Sequence, residues 1–344
     1  MTPVEWPIAA DAADLRVEPA RRAGRDRLPV VRLDLFLDDT ARLTEQERAL
    51  MSAMLTALVE QIADEIRLRL PPSELAAAER DRDKVVPALW RQGLLDRSLL
   101  LELLLRRADE QLIASATHET RHGAVAMVDQ LVGDENGTIA SAAMALTVAR
   151  GRRRDRFGRL GIEFDDVPAE EAVRLVHLVA GAMRAGIDDT SVAIEEVFAD
   201  GATRLLARHD EGRRVEMKAA ALAAALLDAR GPDDGLVASL AADGDAALLA
   251  AYCAVRAGIE PDTGWRLLVG DGARDAMLLA RLAGLARPAA AALIAAFGQP
   301  LLWGEAGDAI AWFDSPSAAE IDAARRWWRL PQYYRDGLRL VKQS

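Results

Sequence analysis

Three consecutive stretches decide the fold: MKAAALAAALLDARGPDDGLVASLAADGD (217–245), AALLAAYCAVRAGIEPDTGWRLLVGDGA (246–273) and RDAMLLARLAGLARPAAAALIAAFGQP (274–300). Each reads as an Ala/Leu helix, a break carrying Pro232, Pro261 or Pro288, a second helix, and a Gly or Asp turn. One helix pair cannot bury both of its faces, so tandem units of this kind are expected to stack into a continuous core. Abundant Ala lets helices approach closely, and Asp134, Asp243 and Asp271 at the turns are each expected to cap the N-terminus of the next helix. The fold class expected is all-α, a HEAT/armadillo-like α-solenoid of stacked antiparallel helix pairs.

The same self-similarity extends upstream. Leu112-Ile113-Ala114-Ser115-Ala116 returns as Thr138-Ile139-Ala140-Ser141-Ala142, and Leu131-Val132-Gly133-Asp134 returns verbatim as Leu268-Val269-Gly270-Asp271. Further back, Thr44-Glu45-Gln46-Glu47 forms a capping box. Beyond it Met51, Met54, Leu55, Leu58, Ile62 and Ile66 make one apolar stripe that Pro71-Pro72 ends. Pro168, after Asp165-Asp166, opens a helix over Ala169–Ala185, and another starts at Asp188-Asp189-Thr190. The best strand candidate, Val30 to Phe36, is short and isolated. This divides the chain into a flexible tail (1–28), an N-terminal helical-repeat array (29–155), a second array (156–298) and an aromatic-rich C-terminal cap (299–344).

Composition bounds the function. The 344 residues are 51% hydrophobic, which excludes wholesale disorder, and the net charge of −11 argues against a general nucleic-acid binder. The one cysteine, Cys253, excludes a disulfide framework and suits a cytoplasmic location; set in an Ala/Leu helix, it reads as a buried structural thiol. Apolar runs such as AAALAAALL are far shorter than the ~20 residues needed to span a bilayer, so no membrane insertion is expected. No P-loop, dinucleotide fingerprint or Gly-x-Ser-x-Gly elbow occurs.

The stretches Leu43 to Arg48, Arg67 to Leu70, Val86 to Leu89, Leu94 to Leu100, residues 131–150, Val167 to Glu170 and His177 to Arg184 form one further pattern. Together they resemble an uncharacterised alphaproteobacterial family, a domain of unknown function built from HEAT-like helical repeats. The resemblance implies an α-solenoid and brings no activity, substrate or catalytic residue with it.

Four features could carry chemistry. His118-Glu119-Thr120-Arg121-His122 matches H-E-x-x-H, in which two histidines one helical turn apart hold zinc and the glutamate serves as general base. Against that reading stand the cationic Arg121 and the want of a nearby third histidine; the other reading is two helix-surface histidines. His118-Glu119-x-Arg121 also resembles an incomplete phosphoacceptor box, though no strand series exists to build an ATP-binding domain. Residues 150–159 pack six arginines into an acidic chain, a basic patch or a solvated loop. Seven of sixteen aromatics, among them Trp303, Trp312, Trp327, Trp328, Tyr333 and Tyr334, fall in the last 46 residues, where they can cap the array or bind a partner. The acidic pairs Glu170-Glu171 and Glu195-Glu196 read as exposed helix surface.

The function expected is a non-enzymatic scaffold or regulatory adaptor that binds another protein. Its contact residues are expected to be Arg152, Arg153, Arg154, Arg156, Trp303, Trp312, Trp327 and Trp328, with no cofactor. The alternative is a zinc-dependent hydrolase using His118, His122 and Glu119.

Overall fold

The computed structural model describes residues 45–68, 70, 84–91, 98–120, 125–154, 160–187, 192–270, 272–301, 303 and 306–343. The tail, the strand candidate at Val30 to Phe36, Thr44 of the capping box and Pro71-Pro72 lie outside them. Among the described residues the structure is all-helical. In chain order the helices are α1 (Glu45–Arg67), α2 (Val85–Arg91), α3 (Ser98–Thr120), α4 (Met127–Val132), α5 (Gly137–Arg152), α6 (Ala169–Ala185), α7 (Val192–Leu206) and α8 (Val215–Arg230). There follow α9 (Asp234–Ala242), α10 (Ala246–Ala257), α11 (Pro261–Leu268), α12 (Ala273–Leu282), α13 (Arg287–Phe297), α14 (Ala306–Asp314), α15 (Ala318–Trp328) and α16 (Gln332–Gln343). Short 3-10 turns occur at Phe164–Asp166 and Glu211–Arg213, and Arg154 forms an isolated antiparallel bridge with Leu160. No described helix is long and apolar enough to cross a membrane.

The chain divides into two compact units, and both are discontinuous. The first gathers described residues of Leu28–Ala108 and Val148–Met217, the second those of Asp109–Thr147 and Lys218–Ser344. This partition is interleaved, whereas a reading along the sequence yields consecutive arrays meeting near residue 155.

The first unit is built on α1 and α6. The α1 stripe lies inside: Met51, Met54, Leu55, Leu58, Ile62 and Ile66 are all buried, each contributing roughly 1.5–3 kcal/mol by leaving water. Helix α6 starts immediately after Pro168, as expected, and buries Leu175, Val176, Val179 and Met183 while packing against α1, α2 and α7. Glu171 corrects the expectation of an exposed acidic pair. It stands one helical turn before Leu175 on the core face and is itself buried, while Glu170 points to solvent.

In the second unit α8–α9, α10–α11 and α12–α13 occupy the three tandem stretches. Each leading helix is followed by a glycine with positive φ: Gly231 at 71°, Gly258 at 70° and Gly284 at 67°. Only glycine takes that left-handed backbone without steric cost, which explains its recurrence after the leading helix of each stretch. Every residue from Ala246 to Ala254 is buried, so α10 has no polar face along that length. It packs against α9, α11 and α12; α9 also packs against α13, two units further on.

The turn aspartates divide their work differently from expectation. Asp233 accepts from the backbone N–H of Gly235 and Leu236, and Asp245 from that of Leu248, each capping the helix that follows it. Asp243 ends α9 and serves another element: its carboxylate accepts the N–H of Met127, the first residue of α4, at 2.6 Å. Asp134 accepts from the N–H of Asn136 and pairs with Arg230. Asp271 lies outside the described residues.

Candidate functional site

The C-terminal aromatics sort into buried and exposed sets. Helix α15 opens with a full capping box, in which the Ser317 hydroxyl accepts from the Glu320 N–H while Glu320 accepts from the Ser317 N–H. Its apolar face packs on α12, and the guanidinium groups beyond it serve helix ends. Arg325 donates to the Leu282 carbonyl at the end of α12 at 3.1 and 3.0 Å, and Arg329 to the Ala257 carbonyl at the end of α10 at 3.2 and 3.1 Å. Such donors satisfy orphan carbonyls and sit favourably at the negative end of the helix dipole. Arg335 is buried: it donates to the Trp328 carbonyl at 2.9 Å and lies 5.0 Å over the Trp328 ring.

Two of the four tryptophans expected to meet a partner are thereby withdrawn. Trp328 is 1% exposed beneath Arg335, and Trp303 is buried edge-on against Phe297, so both are core residues of the second unit. Trp312, with Arg274 at 5.8 Å, and Trp327 are half-buried. What faces water instead is α16, where Tyr333 is 83% exposed, Tyr334 55% and Val341 74%. The spacing Tyr333, Gly337, Val341 repeats every four residues, a signal that was present in the sequence and that counting aromatics passed over.

The arginine run is likewise split. Arg152 and Arg154 are exposed, and Arg156 lies outside the described residues. Arg153 corrects the expectation of a surface contact, being buried with two hydrogen bonds of 2.8 Å to the Asp166 carboxylate. It belongs to an ionic cluster inside the first unit that draws on four separate segments. Glu216 accepts from Arg107 at 2.6 Å and lies 3.3 Å from Arg106, 3.7 Å from Arg153 and 3.7 Å from Arg214; Arg107 also stands 3.8 Å from Asp166. Burial alone would push the Glu216 carboxyl up. The guanidinium groups of Arg107, Arg106, Arg153 and Arg214 outweigh it and hold the carboxyl well below its usual range. At the edge of the cluster Glu163 is pushed the other way, by burial and by the nearby Asp166 carboxylate.

His122 and the intervening Arg121 lie outside the described residues, and the side chains of His118 and Glu119 do too, although both positions belong to α3. Of the remaining histidines, His177 is exposed with its ring nitrogen against the Val173 carbonyl, and His209 lies edge-on to Phe164 with a ring nitrogen 2.8 Å from the Val167 carbonyl. Among the described residues no group of three His, Cys, Asp or Glu is placed to hold a metal ion. Cys253 is buried in α10, and burial pushes its thiol up to about 12.

A family profile described as "Uncharacterised protein conserved in bacteria (DUF2336)" matches residues 116–311. None of the curated proteins and none of the solved structures matches the chain.

Proposed function

From the premise that the chain belongs to the bacterial DUF2336 family, we propose that it is a non-enzymatic scaffold or regulatory adaptor that binds another protein. The observation that carries this is the outward face of α16. In a C-terminal segment whose Trp303, Phe313 and Trp328 are buried, Tyr333 and Tyr334 project into water. Large aromatic side chains with a polar tip are favoured at protein interfaces, and exposing two side by side has a cost in free energy unless a partner covers them. Arg152 and Arg154, exposed at the end of α5, form a second contact region of the same proposal.

The finer fold reading belongs here as well: stacked antiparallel pairs of HEAT-like type, in a branch of the family found in alphaproteobacteria. The equivalent glycines that follow the leading helices α8, α10 and α12 of the three tandem stretches support it. A cytoplasmic setting is supported by the use of a single cysteine, free and buried inside a helix.

In-cell cross-linking followed by mass spectrometry tests the adaptor reading. A reproducible protein partner joined to 303–334 or to the Arg152–Arg154 turn is the expected result; no such partner at either region would sink it. The hydrolase alternative makes a separate forecast: about one zinc per chain, lost in a His118→Ala/His122→Ala variant. Metal at background level is the outcome expected.

A further inference from the structure

Asn136 is the sole asparagine of the chain, and a glycine follows it. It caps α5: its Oδ1 accepts from the backbone N–H of Thr138 at 3.0 Å and of Ile139 at 3.4 Å. Asp233 before α9 and Asp245 before α10 do the same work with a carboxylate. Asn and Asp rank equally as N-caps, so capping alone gives no reason for an asparagine here. We propose that Asn136-Gly137 is a site of spontaneous covalent modification, at which the carboxamide is lost as ammonia and the neutral cap of α5 becomes a charged one.

The chemistry needs only water as co-reactant. The backbone nitrogen of Gly137 gives up its proton and attacks Cγ of Asn136, so that an N–C bond forms and closes a five-membered imide. The Cγ–Nδ2 bond breaks, and the carboxamide nitrogen leaves with that proton as ammonia. Water then opens the imide. Breaking the new Cγ–N bond gives aspartate at 136; breaking the backbone C–N bond gives isoaspartate.

Three features of the site favour this course. Gly137 is the first residue of α5, so no carbonyl within the helix holds its N–H. Among the described residues nothing lies within 4 Å of the point where a Cβ on Gly137 would stand, and residues 135–138 are exposed, so the peptide is open to rotation and to water. The two N–H groups on Oδ1 draw electron density from Cγ and hold it over the first turn. The remaining rotation about the Asn136 Cα–C bond is of the kind that fraying helix ends permit.

The fold is suited to the aspartate product. A carboxylate at 136 keeps the cap and places a negative charge at the positive end of the α5 dipole. It joins the corner where Asp134 accepts the Asn136 N–H at 2.9 Å and pairs with Arg230. Isoaspartate instead routes the backbone through the side chain and forfeits the cap.

The experiment is a timed incubation of the native full-length protein at neutral pH beside a urea-denatured sample. Both are read by intact mass and by peptide mapping with endoproteinase Asp-N, which cuts before aspartate and not before isoaspartate. With no other asparagine in the chain, a gain of one mass unit mapped to this peptide reports residue 136. The native protein is expected to gain it, and Gly137→Ala to gain it about tenfold more slowly or less. That variant keeps the cap and favours the helix, so its fold stands. Asn136→Asp supplies the product directly and is expected to match or exceed the wild type in thermal stability. A native chain that keeps its mass while the denatured one gains would show that the cap protects Asn136, and would overturn the proposal. So would gain by neither sample, gain indifferent to Gly137→Ala, or an Asn136→Asp variant less stable than the wild type.

Discussion

Glu216 stands among four guanidinium groups in the first unit, and this sets how the protein responds to its loss and to acid. Replacing it with Gln leaves Arg107 fully buried without that carboxylate, a change of the kind that costs about 3–5 kcal/mol. Chemical denaturation of Glu216→Gln beside the wild type checks this. The pH dependence follows from the depressed carboxyl. Its stabilisation is complete above the unfolded-state value of about 4.3 and is lost as the pH falls toward the folded-state value. The stability difference between wild type and Glu216→Gln is therefore expected to be constant near neutrality and to shrink below pH ~4. Cys253 supplies a second residue-scale expectation. With its thiol pushed up to about 12 and no exposed surface, it should resist a thiol reagent such as dithiobisnitrobenzoate in the native state and react at full stoichiometry once denatured. Rapid native labelling would contradict its place inside α10.

At the scale of elements, the positive-φ glycines separate backbone strain from packing. Gly231 and Gly244 have nearly the same φ, 71° and 67°, yet among the described residues a Cβ on Gly231 would meet nothing within 4 Å while one on Gly244 would overlap the Thr117 hydroxyl. Gly231→Ala is expected to cost about 1–2 kcal/mol, the left-handed penalty alone. Gly244→Ala should cost clearly more, because α3 must also shift; thermal denaturation of the two variants ranks them. The helices and the breaks between them were legible in the sequence because their punctuation is local. Pro261 at the start of α11 and Gly258 at the end of α10 act on their own backbone, and the Met51-to-Ile66 stripe needs only the helical period. Asp243 was misassigned because its partner, the N–H of Met127, lies 116 residues away. The fate of the tryptophans was hidden for the same reason, since Trp328 is covered by Arg335 and Trp303 by Phe297 through tertiary packing.

At the scale of the whole molecule, helical class and sign of charge were legible, while the interleaving of the two units was not. Composition and periodicity carry no record of which distant segments meet, and Arg153 looked like one more solvated arginine in a basic run. The ionic cluster shows what a cut along the chain would do. A fragment ending at residue 155 keeps Arg106, Arg107 and Arg153 but loses Asp166 and Glu216. Fragments 29–155 and 156–298 are accordingly expected to lack cooperative unfolding when expressed alone, and calorimetry on each would check it; two sharp transitions would count against the interleaved partition. The same arrangement bears on how the chain is made. The ribosome delivers Arg107 and the apolar stripe of α1 long before it delivers Glu216 and the core face of α6, with Asp109–Thr147 of the other unit in between. Until synthesis passes α6 the nascent first unit must carry an exposed apolar stripe, and until it passes residue 216 guanidinium groups without the Glu216 carboxylate, a prolonged opening for chaperone capture or for aggregation that a consecutive repeat array would close one pair at a time.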